Sequence, residues 1–344
     1  MTQLYLHPGI VDYFVEYDFN AVQASPKTGG PEDLRRRLME DYVTEKIILL
    51  RNVKIEYDRD FIRNVKFPAD WVYKKFSSNS IERSRPIWID RTKQNICKDL
   101  FQGNMGLYSK FRQELIAVNS LIRQVLDEIL SAYNVIGRDI VWRHTETRVE
   151  NLHFDKDKGS DSFESVRLYF NMDDAPRIWN TSHPLSQILT GFYDELELAS
   201  AVDLPLERLL QLLSVRLFGN WSSRGREQFP HHVVLFEPND IWICDGRTVP
   251  HQVIYGRRVI SSFYKLDVDS LPAWHPSLGG RVREVHQTRE DGRRQPWSAE
   301  SLRGYVYPFG AKGPEPPPGV AGKSLKESWA EIYQESIQDR IVRL

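Results

Sequence analysis

Apolar residues recur at helical spacing over residues 109–133, where Phe111, Leu115, Val118, Leu121, Ile122, Val125, Ile129 and Tyr133 fall on one stripe. A stripe of that width predicts a long amphipathic helix packed on a sheet, with these residues as core. A charged helix is expected over 31–41, followed by a short buried strand over 46–53. The pattern then turns strand-like, with β-rich segments at 139–147, 149–154 and 165–172, a helical stretch at 185–218, and strands again across 233–266. Strands on both sides of a helical insert fit a mainly β, α+β chain built as a jelly roll, whose two halves can supply different groups to one site. This order predicts a helix-and-strand support region over 1–138, a barrel core over 139–270 that contains the insert 185–218, and a C-terminal extension over 271–344.

Turn signals divide the second set of strands. Pro238-Asn239-Asp240 and Asp245-Gly246 bracket the β-rich Ile241-Trp242-Ile243-Cys244, and residues 249–254 and 259–264 read as the two strands of a tight hairpin. Beyond the barrel, residues 279–296 are rich in Arg, Gly and Gln, and Pro314-Glu315-Pro316-Pro317-Pro318-Gly319 reads as an extended linker. Ser324 and Glu327 form a capping box for a final helix carrying Leu325, Trp329, Ile332 and Ile341. That helix is expected to dock on the barrel or on a second copy, which would make a homodimer.

Composition changes this picture little. A chain of 344 residues can bury a substantial core, and its net charge of −1 gives no electrostatic reason to expect a nucleic acid or an anionic membrane as partner. Cys97 and Cys244 are the only cysteines, too few for a disulfide framework, and Cys244 falls in a strand expected to be buried. With neither a signal-peptide pattern nor an apolar run long enough to span a membrane, the expected setting is cytoplasmic.

Candidate chemistry begins with His153-Phe154-Asp155. Residues two apart on a strand point to the same side, so this pair can grip one metal ion from a single strand. With 47 acidic residues and nine histidines, roughly one His-x-Asp/Glu arises by chance, and the chain holds a second, His144-Thr145-Glu146. The first pair ends an apolar strand just before the polar loop 156–162, where a barrel mouth would lie, whereas the second sits deeper in the preceding strand. His251, far downstream at the start of another predicted strand, completes a set of two imidazoles and one carboxylate. Such a set occupies one face of an octahedral ferrous ion and leaves the opposite positions open. Taken singly, each residue is as well explained as a polar strand end or a solvent-facing histidine; the three together favour the metal.

These residues resemble the Fe(II)- and 2-oxoglutarate-dependent oxygenases, built on a double-stranded β-helix. The likeness covers residues 140–268: a His-x-Asp at the barrel mouth, a distal His preceded by Pro-x-Asp, an apolar strand and Asp-Gly, and a basic residue on the following strand. It implies Fe(II) held by His153, Asp155 and His251, with 2-oxoglutarate as co-substrate, its far carboxylate paired with Arg258 or Arg257. A two-residue hairpin turn would place even-numbered residues of the second strand on the His251 face, turning Arg258 inward with Ser262 as a further donor; a three-residue loop would select Arg257. The resemblance further implies that dioxygen and 2-oxoglutarate are consumed in hydroxylating an aliphatic C–H. Related halogenases lack the metal-binding carboxylate, so Asp155 speaks for hydroxylation.

Substrate signals are sparser. Strand alternation puts Arg167, Tyr169 and Asn171 on one face, and Arg177-Ile178-Trp179-Asn180-Thr181-Ser182-His183 mixes cationic, aromatic and hydroxyl groups, as a pocket for a small carboxylate-bearing substrate would. Arg143 and Arg148 add further barrel cations. Residues 166–179 resemble bacterial oxygenases that hydroxylate the lipopolysaccharide sugar acid Kdo, although an amino acid or a natural-product acid fits equally. Two other readings stand beside this one. A cupin-type oxygenase or isomerase would use the same ligands without 2-oxoglutarate if neither Arg257 nor Arg258 reached the site, and a non-catalytic binding barrel would leave the three ligands apart.

Overall fold

The computed structural model describes residues 13–67, 75–83, 85–144, 147–148, 152–201, 203–219, 232–293 and 297–303. Eleven strands are present among them: β1 (Phe14–Asp18), β2 (Ile47–Arg51), β3 (Lys75–Ser77), β4 (Val135–Arg143), β5 (Thr147–Arg148), β6 (Phe163–Asn171), β7 (Arg177–Thr181), β8 (His232–Phe236), β9 (Ile241–Ile243), β10 (His251–Gly256) and β11 (Val259–Asp267). They form a seven-stranded sheet of order β1-β2-β9-β6-β11-β4-β3 and a four-stranded sheet of order β5-β10-β7-β8. All pairs are antiparallel except β1 with β2. From β4 onward the chain alternates between the sheets, apart from the β7–β8 pair, so residues distant in sequence meet in the space between them.

Strand parity sorts the side chains of the large sheet. Even-numbered residues (Ile140 and Trp142, Val166, Leu168 and Phe170, Ile260, Tyr264 and Leu266) pack with the long helix Met105–Ile129. That helix starts four residues before the predicted stripe because Asn104 caps it, its side chain accepting from the Gly106 and Leu107 amides. Six of the eight stripe residues are buried within it; Leu121 is not fully covered, and Tyr133 lies beyond the helix end. Asn119 is buried on the same face, its Oδ1 accepting from Trp142 Nε1 at 2.8 Å. Odd-numbered residues of β4, β6 and β11 face the other sheet, and β9, with the opposite parity, turns Trp242 the same way, so that Tyr169, Trp179, Phe236 and Trp242 form an aromatic floor. Phe236 and Trp242 stack at 3.8 Å, and Trp179 meets Trp242 edge-on at 5.4 Å.

The predicted helical stretch resolves into Leu185–Gly191, Leu198–Ala201 and Leu206–Phe218, which gather their leucines around a second core. Leu278–Glu290, in the region read only as compositionally biased, is helical and contributes Leu278 and Val282 to that core.

The expected hairpin is not formed. β10 lies in the small sheet, paired with β5 and β7, while β11 lies in the large sheet between β4 and β6. Arg257 and Arg258 carry the chain from one sheet to the other, so the turn parity used to orient them has no counterpart. Glu146, the Pro-rich stretch and the expected final helix with its capping box fall outside the described residues. Both cysteines are buried and unbridged, and no described helix is long and apolar enough to cross a membrane.

Candidate metal centre and cavity

A backbone bridge joins the first histidine to the second. His153 and His251 exchange amide and carbonyl, at 3.1 and 3.0 Å, and so stand side by side, their rings 4.8 Å apart. Phe154 points the other way, into the core of the helical insert, where it contacts Phe218 at 5.6 Å and its amide donates to Ser214 Oγ at 3.1 Å. Anchoring Phe154 there leaves His153 and Asp155 facing the cavity together.

Asp155 is fixed by the loop between β9 and β10. Its amide donates to the Gly246 carbonyl at 2.7 Å, and a Cβ at Gly246 would stand 2.1 Å from Asp155 Oδ2 and 2.9 Å from His251 Cε1. Only glycine admits that approach. Asp155 Oδ1 lies 3.8 Å from His153 Nε2, and Oδ2 lies 3.9 Å from His251 Nε2. One donor atom from each residue falls within 4.8 Å of the others. His251 is oriented for this role, since its Nδ1 donates to the Val249 carbonyl at 3.2 Å and its ring stacks on Trp179 at 4.9 Å, leaving Nε2 toward the carboxylate. Burial would raise the Asp155 carboxyl pKa, but Arg167, then His251 and His153, outweigh it and hold the value at about 2.

Behind this loop lies a charge network that sequence reasoning missed. Arg247 is fully buried, donating to both oxygens of Asp245 at 2.8–3.1 Å and to Glu164 Oε2 at 2.6 Å. The other Glu164 oxygen accepts from the Leu278 amide. Arg247 is near Asp245 in sequence, but Glu164 comes from β6, and no local pattern announces it.

The three side chains open into a cavity of about 430 Å³ between the sheets. Its wall level with these three carries Asp157, Arg167, Phe263 and Asp139; a step along the strands come Tyr169, Trp179, Val253 and Ser261, and a further step on come Arg177, Arg143 and Lys75. Asp139 accepts from Ser77 Oγ and from Asn79 Nδ2. Three predicted substrate residues, Arg167, Tyr169 and Arg177, line this space.

The remaining predicted residues are placed elsewhere. Asn171 is buried, its Nδ2 donating to the Ala175 and Phe236 carbonyls at 3.0 and 2.9 Å. Ser262 borders the cavity but exchanges hydrogen bonds with the Leu168 backbone at 3.1 and 3.2 Å. Arg257 pairs with Asp173 and Asp174 at 2.6–3.0 Å, and Arg258 with Asp173 at 3.2 Å and the Arg63 carbonyl at 2.7 Å. Neither arginine lines the cavity. The competing His144 stacks on Phe67 at 4.0 Å beside Phe76 and Trp142, on the helix side of the sheet, with neither ring nitrogen hydrogen-bonded among the described residues.

No protein-family model matches the chain, and no curated protein matches it in sequence. By structure, the chain shares the fold of solved proteins described as non-haem Fe(II), α-ketoglutarate-dependent dioxygenases, the fold that the sequence resemblance implied. The Kdo hydroxylase KdoO, solved in complex with α-ketoglutarate and Fe(III), aligns over 82% of this chain and 97% of its own with a TM-score of 0.50 and 12% identity. The same hydroxylase with succinate and Fe(III) aligns over the same shares, with a TM-score of 0.50 and 13% identity. At this identity the likeness is one of fold.

Proposed function

We propose that this protein is an Fe(II)- and 2-oxoglutarate-dependent dioxygenase that hydroxylates an aliphatic C–H of a small acid, on a double-stranded β-helix. The observation that carries the reading is the convergence of His153, Asp155 and His251 from two distant segments onto one cavity. Their donor set of two imidazole nitrogens and one carboxylate suits ferrous iron, and the space that Gly246 leaves open is what admits the carboxylate to the set. When bound, the iron and its co-substrate supply the oxidising chemistry. This chain's residues bind, orient and exclude water: His251 is held in one tautomer by Val249, and the aromatic floor closes the cavity beneath it.

With Arg257 and Arg258 engaged elsewhere, the far carboxylate of 2-oxoglutarate is assigned to Arg177. It is buried in the cavity wall, away from the three side chains, against Gly256, where an added Cβ would stand 2.3 Å from Nη1. On β7 it lies four residues from Thr181, the partner of His251, or about 13 Å of strand. A five-carbon diacid and a guanidinium side chain together bridge that span. Arg143 and Lys75, which are more exposed, are assigned to the acid group of the substrate.

The test is anaerobic titration of the protein with Fe(II) and 2-oxoglutarate, read by the visible charge-transfer absorption of the chelate. The band is expected in wild type, absent in His251→Ala, weakened in Arg177→Met and unchanged in Arg258→Met. A folded wild type that gives no band would overturn the reading. The weight would then pass to a cupin-type enzyme without 2-oxoglutarate, which the placement of Arg257 and Arg258 outside the cavity favours.

A further inference from the structure

Arg167 is engaged with two neighbouring carboxylates, and the pairing bears on how Asp155 can bind a metal. Its Nη1 bonds Asp155 Oδ2, its Nη2 spans both oxygens of Asp157 at 2.7 and 2.8 Å, and its guanidinium lies over the Phe263 ring at 5.0 Å. The side chain rises from the middle of β6, registered against Phe263 of β11, so its base is as rigid as the sheet. Asp155 Oδ2 is therefore flanked on one side by Gly246 and on another by a cation.

We propose that Arg167 is a positioning residue that reserves Oδ2 of Asp155, so that the carboxylate offers a metal ion one oxygen. This rests on the functional reading above. An octahedral ion held by three single donors keeps three positions, whereas a carboxylate binding through both oxygens would leave two. Chelation by a 2-oxo acid together with dioxygen requires three. Asp157 anchors the guanidinium and offsets its charge, which reduces the repulsion between that cation and a divalent ion nearby.

The proposal separates two affinities that a merely structural role would move together. Co(II) is titrated calorimetrically into the metal-stripped full chain, and 2-oxoglutarate is then titrated into the Co(II)-loaded protein. Arg167→Met is expected to bind Co(II) at least as tightly as wild type, having lost a nearby positive charge, while its affinity for 2-oxoglutarate falls tenfold or more. Arg167→Lys, which restores one donor and the charge, is expected to recover most of that loss. If Arg167→Met does not fold, Asp157→Asn loosens the guanidinium in place and is expected to shift 2-oxoglutarate affinity in the same direction, by about threefold. Both affinities falling together, or neither changing, would overturn the proposal while leaving the enzyme class standing. A wild type that fails to bind Co(II) would overturn the functional reading itself, and the proposal with it.

Discussion

Single atoms decide whether this site can form. At Gly246 a methyl group would meet Asp155 Oδ2 at 2.1 Å, and the object it meets is a carboxylate pinned by its own amide and by Arg167. Gly246→Ala is thus expected to weaken Fe(II) or Co(II) binding by about 10–100-fold, the range seen when the surroundings of a ligand are disturbed, and to lower stability by about 1–3 kcal/mol through the overpacked contact. A metal titration beside a thermal melt checks both halves. His144 bears on stability instead. Burial first, then Arg258, lowers its pKa from 6.5 to about 3. A histidine whose folded pKa is depressed contributes stability that is complete above its unfolded pKa and is lost as pH falls from about 6.5 toward 3, at up to about 1.4 kcal/mol per pH unit. His144→Phe keeps the stack on Phe67 and removes the titration, so its denaturation midpoint should fall less than that of wild type between pH 7 and pH 5. His275, lowered to about 3 by burial and then by Arg281, adds a slope of the same sign, so some loss should persist in the variant.

At the level of elements, the loop between β9 and β10 holds the site because Arg247 holds the loop. Replacing Arg247 with Met would leave Asp245 and Glu164 buried without their cation, and breaking a buried pair from one side costs about 3–5 kcal/mol. The same change frees the Gly246 carbonyl that accepts the Asp155 amide, so a lower denaturation midpoint and weaker metal binding should appear together. This loop also marks how far the sequence could be read. His153, Asp155 and His251 could be picked out together because a residue pair two apart is a local pattern, which here sits on an isolated bridge to His251 and not on the expected strand, and because Asp245-Gly246 before a strand histidine is a compact signal. Arg257 and Arg258 were misplaced because a short polar turn between two strands reads as a hairpin, whereas here it crosses between sheets and Asp173 captures both side chains. Sheet membership is set by partners such as β4 and β6, which no window around residue 257 contains. Arg177 could be named from its strand, but its buried place in the cavity wall follows only from its packing beside Gly256.

Across the whole molecule, the large sheet separates two environments that the same strands serve by parity. One face binds the long helix Met105–Ile129 through an apolar core; the other lines the cavity. Stability and chemistry should therefore respond to different substitutions. Leu115 is fully buried under the helix-side core and touches no residue of the metal set, so Leu115→Ala should cost about 2–5 kcal/mol through lost burial and the cavity left behind. Metal affinity measured below the unfolding transition should stay at the wild-type value. Trp179 offers the contrast, since it is buried in the aromatic floor and stacks on the His251 ring. Trp179→Ala should cost a similar 3–5 kcal/mol and also lower metal affinity, because the imidazole loses the surface that orients it. Equal effects of the two substitutions on metal binding would mean that the sheet transmits packing changes from one face to the other. Distinct effects would show that its two faces act as separate supports, one for folding and one for the metal ligands.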